Sequence, residues 1–278
     1  MKKNMKKRKA LMFRLLFYGA GVGLLIFLAF FGEMIAPYDP YEIDMMAINQ
    51  PPSSQFLFGT DNLGRDILSR ILAGTRSSVF AMLLITSMAM LIGTLLGLLG
   101  GYYGGVFDII LQKILLIFQS FPGLVMAIAV AGVLGAGLRN AVIALITVGW
   151  TAYARLARSL VLKIRESNYI KAAKLCGCGS IPIIFHHVIP NISSSVFVYA
   201  MVSLSGVILE ISSLSFLGLS AKPPVPEWGF MMNEGRKVLL AAPWQALVPG
   251  IAILITVIIF NRFGDSVQDF LEVRENMK

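Results

Sequence analysis

Residues 77–107 read SSVFAMLLITSMAMLIGTLLGLLGGYYGGVF, a tract without a single charged side chain. A helix that crosses a bilayer needs about 20 mainly apolar residues to cover roughly 30 Å of hydrocarbon. The part from Val79 to Leu99 supplies them. With no water to satisfy peptide groups in hydrocarbon, such a tract must bond its own backbone, as a helix does. Glycines recur at every fourth position, at Gly93, Gly97, Gly101 and Gly105. That spacing strips one helix face of side chains and lets another backbone approach. The tolerance of membrane helices for glycine accounts for the same pattern without any contact. Gly100, Gly104 and the pair Tyr102-Tyr103 mark where this helix turns at a membrane surface.

The same reading extends along the chain. Further apolar tracts lie at residues 15–32, 114–138, 140–162, 193–216 and 239–261, which makes six spans. Apolar residues form 56% of the 278, charged residues only 14%, and mean hydropathy is +0.76. A soluble chain carries about 25% charge. The expected fold class is therefore an all-α integral membrane protein with six transmembrane helices. A basic start before an apolar stretch also suits a signal peptide, but this stretch is long and Gly32 to Pro37 makes a poor cleavage site. An uncleaved anchor is expected.

The net charge of +9 is clustered rather than spread. Lys2, Lys3, Lys6, Lys7, Arg8, Lys9 and Arg14 precede the first span. Arg155, Arg158, Lys163, Arg165, Lys171 and Lys174 form a second group. Basic loops stay on the cytoplasmic side, which divides the chain as follows. Residues 1–14 are a cytoplasmic basic N-terminus, 15–35 the first span and 36–77 an extracytoplasmic loop. Residues 78–262 hold five further spans, with a cytoplasmic loop at 163–191, and 263–278 form a cytoplasmic tail. Arg65, Arg70 and Arg76 dissent on the outer side, with Asp61 and Asp66 among them. The charge has no nucleic-acid-binding motif beside it, so nucleic acid is not an expected partner.

Motifs of catalysis are missing. No Gly-Lys dipeptide exists to build an ATPase phosphate loop, and neither His-Glu-x-x-His nor Gly-x-Ser-x-Gly occurs. Cys176 and Cys178 are separated by a single residue, and His186 and His187 are adjacent, which is poor spacing for zinc. No metal site is expected there.

The loop at 163–191 carries the most information. Lys171-Ala172-Ala173-Lys174-Leu175-Cys176-Gly177 begins as a helix former and reaches a glycine that can turn the chain. A second amphipathic piece follows, with Pro190 as a stop. A structured loop of this kind suits docking of a soluble partner; lying on lipid headgroups is the alternative. Here the chain resembles the permease family of type I ABC importers. Ala172, Ala173, Gly177 and Pro190 match that family's loop signature, while Lys171 stands where an acidic residue is usual and Ile189 where leucine is usual.

The resemblance narrows to the peptide/nickel branch and covers nearly the whole chain. It runs through Ile35 to Pro40, Phe58-Gly59-Thr60-Asp61-Asn62-Leu63-Gly64-Arg65-Asp66, Ser69-Arg70 and Gly74 to Arg76. It continues in Leu214 to Leu219, Glu227-Trp228-Gly229, Pro243-Trp244, Pro249-Gly250 and Phe260 to Asp265. It implies a coupling loop at Lys171, Ala172, Ala173, Gly177 and Pro190, and the shorter, second permease of a pair. The implied partners are a homologous permease, two ATPase subunits and an extracytoplasmic substrate-binding protein. It implies no cofactor on this chain, since ATP and magnesium belong to the ATPases, and a bacterial inner-membrane location with both termini cytoplasmic. Peptide and nickel remain open as cargo, with Trp150 to Arg155 closer to nickel permeases.

Other residues stand out singly. Glu210 is an acid within an apolar span, a candidate for the translocation pathway, with a core hydrogen-bonding role as the alternative. Asp61, Arg65 and Asp66 are candidates for outer-loop docking or gating, with a local ion pair holding the loop as the alternative. Asp265 and Asp269 are placed to brace the last helix. The rival class is a self-sufficient secondary transporter or channel, which usually carries several intramembrane acids or broken helices.

Overall fold

The computed structural model describes residues 2–275 and the side chains of residues 11–271. The side chains of the basic group from Lys2 to Lys9, and the end of the tail, lie outside the described residues. The order is α1 (Lys2–Ile35), α2 (Ile67–Tyr103), α3 (Gly105–Gln119), α4 (Gly123–Leu134), α5 (Leu138–Arg165), α6 (Asn168–Leu175) and α7 (Ser180–Ile183). A π turn (Ile184–Val188), α8 (Ile189–Phe216), α9 (Trp228–Arg236) and α10 (Trp244–Glu275) complete it. Among the described residues, five helical stretches are long and apolar enough to cross a membrane.

The sixth span departs from the sequence expectation. The tract at 114–138 is not one straight helix; α3 and α4 meet at 92° across a short break. Pro122 explains it, because a proline has no N–H for the ladder and bars the preceding residue from helical backbone. Ser120 turns its hydroxyl back onto the Leu116 carbonyl at 2.9 Å, which helps end α3.

The helix that holds the second span begins earlier than its charge-free tract. Asp66 caps α2 by accepting the Ser69 amide at 2.8 Å and its hydroxyl at 2.6 Å. Residues 67–77, expected in the outer loop, are therefore the first turns of α2. At about 1.5 Å per residue the helix is roughly 55 Å long, so its ends stand clear of a hydrocarbon layer of about 30 Å.

The glycine ladder is a contact surface for its first three members. A side chain at Gly93 would strike the Trp150 carbonyl, and one at Gly97 the Ala154 carbonyl. One at Gly101 would lie 3.0 Å from the Arg158 carbonyl. So α2 and α5 pack backbone to backbone, the geometry that small residues permit in membranes. Gly105 has open space around it and instead starts α3 with a φ of 64°.

Around this pair, Leu25 and Ala29 of α1, Met82 of α2, Leu204 and Ile208 of α8 and Phe260 of α10 form one buried cluster. Ser205 donates to Asn261 at 2.7 Å, tying α8 to α10. The outward residues of α1, such as Phe13, Leu16, Phe27 and Phe30, are exposed and apolar, as a lipid-facing surface requires.

Candidate functional site

The loop between α5 and α8 is folded in two layers. Ile170, Ile183, Ile184 and Val188 are buried against Leu98 and Tyr102 of α2 and Val161 of α5. The opposite face presents Leu175 at 90% exposure, Ile181 at 66% and Phe185 at 62%, beside exposed Lys171 and Ala172. Gly177 makes the turn, with φ of 80°, while the amides of Gly177 and Cys178 bond to Lys174 and Ala173 carbonyls at 3.0 Å each. That pair of bonds is a Schellman motif, which needs a residue in the left-handed region. Lys171 lies 3.6 Å from Glu166, an exposed ion pair. Residues 167–191 contain no acid at all, so the exposed face is apolar and cationic.

The base of the loop is tied to the membrane core. Arg165 donates to the Gly101 and Tyr102 carbonyls at 3.2 and 3.1 Å, where α2 ends. A cation there also complements the negative end of the helix dipole. Arg158 bonds Asp108 at the start of α3, with one contact at 2.7 Å. The buried face of the loop and Arg165 thus contact α2 and α5, and Arg158 joins α5 to α3.

Pro190 is not a stop. It sits in the first turn of α8, where its missing N–H is no loss. The π turn joins α7 to α8, so one helical stretch runs from Ser180 to Phe216 past the proline.

At the other end, motifs far apart in sequence meet. Asp61 pairs with Arg65 at 2.7 Å and Arg70 at 3.4 Å, and Glu234 of α9 faces the same arginines at 3.4 and 4.0 Å. Asp61, Arg65, Asp66 and Arg70 are all buried. Arg70 also donates to the Pro40 carbonyl at 3.1 Å. Of the two sequence readings, the geometry is that of an ion pair holding the loop. Glu234 has no signal in the sequence, because only folding brings α9 beside residues 61–70.

Glu227 is fully buried and caps α9, accepting the Gly229 and Phe230 amides at 3.0 and 2.8 Å. Burial pushes its carboxyl up, against hydrogen bonds that favour the charged form. Trp228 donates to the Ile71 carbonyl at 3.1 Å, and Trp244 and Gln245 both donate to the Thr60 carbonyl at 3.2 Å. Together these contacts clasp residues 36–66 over the ends of α2, α9 and α10.

Glu210 is exposed on α8 in the single chain. It shares a side of the helix with exposed Tyr199, Val202 and Gly206, about one turn apart. Asp265 and Asp269 are exposed on α10, and neither joins an ion pair among the described residues. Cys176 and Cys178 are free thiols and exposed.

The fold and its two ordered ends define a multispan helical membrane subunit with a folded, partner-accessible loop. Residues 93–276 match the family described as "Binding-protein-dependent transport system inner membrane component", and residues 15–52 match "N-terminal TM domain of oligopeptide transport permease C". The chain is 42% identical to the glutathione transport system permease protein GsiD of Pectobacterium atrosepticum, over 91% of this chain and 85% of that one. It is 38% identical to the dipeptide transport system permease protein DppC of Haemophilus influenzae, over 91% of this chain and 90% of that one. An inward-facing structure of the MetNI methionine ABC transporter shares the fold, with a TM-score of 0.57 at 16% identity over 72% of this chain and 95% of that one.

The chain belongs to the family of inner-membrane components of binding-protein-dependent transport systems. It is a permease subunit of an ABC importer, a multi-pass membrane protein and not an enzyme. Family membership sets aside the self-sufficient transporter or channel. Permeases of this family work with ATPase subunits and a substrate-binding protein.

Proposed function

We propose that this chain forms one half of the translocation pathway of a peptide importer, beside a homologous permease. The face of α8 that carries Glu210 lines the pathway or meets the second permease there. An acid on that face is costly against lipid and affordable against water or a partner. Both termini are cytoplasmic, and the loop at 163–191 receives the ATPase subunits. No cofactor binds this chain; ATP and magnesium are held by those subunits.

The observation that carries the coupling role is the two-layered loop. Its exposed Leu175, Ile181 and Phe185 suit a soluble partner, while its buried layer and Arg165 join it to α2 and α5. ATP binding moves the ATPase pair, the loop follows, and α2, α3 and α5 turn with it. The step is driven by differential affinity of the two conformations for the nucleotide-bound partner. Relatives named for glutathione and dipeptide favour peptide cargo over nickel.

Uptake in a strain lacking only this gene tests the cargo. Loss of labelled dipeptide uptake with nickel uptake intact supports the reading; the reverse result makes the cargo nickel. In the purified importer, Leu175→Ala with Phe185→Ala should abolish the stimulation of ATPase activity by the loaded binding protein. Undiminished stimulation would remove the loop from the coupling path.

A further inference from the structure

Positive charge on the outer side of a membrane protein runs against the usual bias. Arg65 and Arg70 have a local reason to be there, because Asp61 and Glu234 hold both in buried pairs. Arg76 and Arg139 have no such reason. Both are exposed, and neither joins an ion pair among the described residues. They line one cleft of about 610 Å³, where α1 ends and α2 and α5 begin.

The cleft is polar at the rim and apolar in depth. Glu33, Tyr41 and Ser77 accompany the two arginines, and Phe80, Leu84 and Val142 form the wall. Along α2 from Arg76, Phe80 and Leu84 lie roughly 6 and 12 Å deeper at about 1.5 Å per residue. From Arg76 to the end of α2 is about 40 Å, close to a bilayer with its headgroup layers. Arg76 therefore stands at headgroup level. Glu33 and Arg76 act on the same point: the Tyr41 phenol is pushed up by burial first and then by Glu33, against Arg70 and Arg76.

We infer that this cleft holds a membrane phospholipid, with its phosphate between Arg76 and Arg139 and an acyl chain along Phe80, Leu84 and Val142. Guanidinium groups present paired donors that match phosphate oxygens. Glu33 on the rim suits the ammonium of an ethanolamine head. The half-exposed Leu84 leaves the wall open to a lipid tail. A zwitterionic peptide would satisfy the same rim but has no need of an apolar wall two turns deep. Assignment to the outer leaflet rests on the topology proposed above; the meeting of the two arginines with the apolar wall does not.

The test uses the whole importer, purified with its partner permease and ATPases in mild detergent with phosphatidylethanolamine and phosphatidylglycerol. Native mass spectrometry counts the phospholipids retained. The wild type should keep one phospholipid that Arg76→Gln with Arg139→Gln loses. Leu84→Trp, which fills the tail groove and leaves the rim intact, should lose it too. Lys222→Gln, at an exposed lysine outside the cleft, should keep it. Equal retention in all four overturns the inference, and so does displacement of the lipid by added dialanine, which would give the cleft to the cargo. Failure of the importer reading would show separately, as a wild-type chain that does not assemble with the ATPases.

Discussion

At Glu227 a carboxyl is buried completely and kept by the helix it caps. Its folded pKa lies above the ordinary 4.5, so the folded state holds the proton more tightly than the unfolded chain. Stability from this group is present below 4.5 and is lost as pH rises through the raised folded value. Glu227→Gln keeps an oxygen for the cap and removes the titration. The thermal midpoint of the wild type should fall over that pH window, and that of the variant should stay level by comparison. Asp61 offers a second case. Asp61→Asn leaves Arg65 and Arg70 with Glu234 alone, and breaking a buried pair costs about 3–5 kcal/mol. Thermal unfolding of the purified complex should register a lower midpoint; an unchanged one would mean that the loop is held elsewhere. The sequence displayed Asp61, Arg65 and Asp66 as a charged knot, and Gly177 as a turn. It could not display Glu234, whose position depends on α9 folding back over the end of α2.

The elements show a similar division. The glycine ladder offered a close helix contact as one of two readings, without naming a partner, and the partner is α5. Gly97→Leu would drive a side chain into the Ala154 carbonyl and force the helices apart. Overpacking of this kind costs about 1–3 kcal/mol or more, so little monodisperse protein should survive size-exclusion chromatography. Gly101→Ala meets its nearest atom at 3.0 Å and should be milder. Equal behaviour of the two would deny the ladder its contact role. The break in the span at 114–138 was not read from the sequence: the tract counts as one apolar run, and the 92° turn at Pro122 emerges only in the fold. Pro190 misled for a related reason. A proline ends a helix that precedes it and suits the first turn of one that follows, and local sequence does not choose between them.

For the whole molecule, the orientation can be read from the only two cysteines, Cys176 and Cys178, both exposed in the loop. A membrane-impermeant maleimide should label them in inverted vesicles and not in right-side-out ones; the opposite pattern would invert the proposed topology. By itself the sequence determined the solvent of each segment, because long uncharged tracts have no stable place but hydrocarbon and their helices must satisfy their own backbones. It also displayed the loop motif, since the turn at Gly177 is made by neighbours in the chain. Only the tertiary structure decided which charges neutralise one another, which glycine face meets which helix, and that Arg76 and Arg139 share a cleft. Those are pairings between residues far apart in the chain, and their energies exist only once α1, α2, α5 and α9 have packed together.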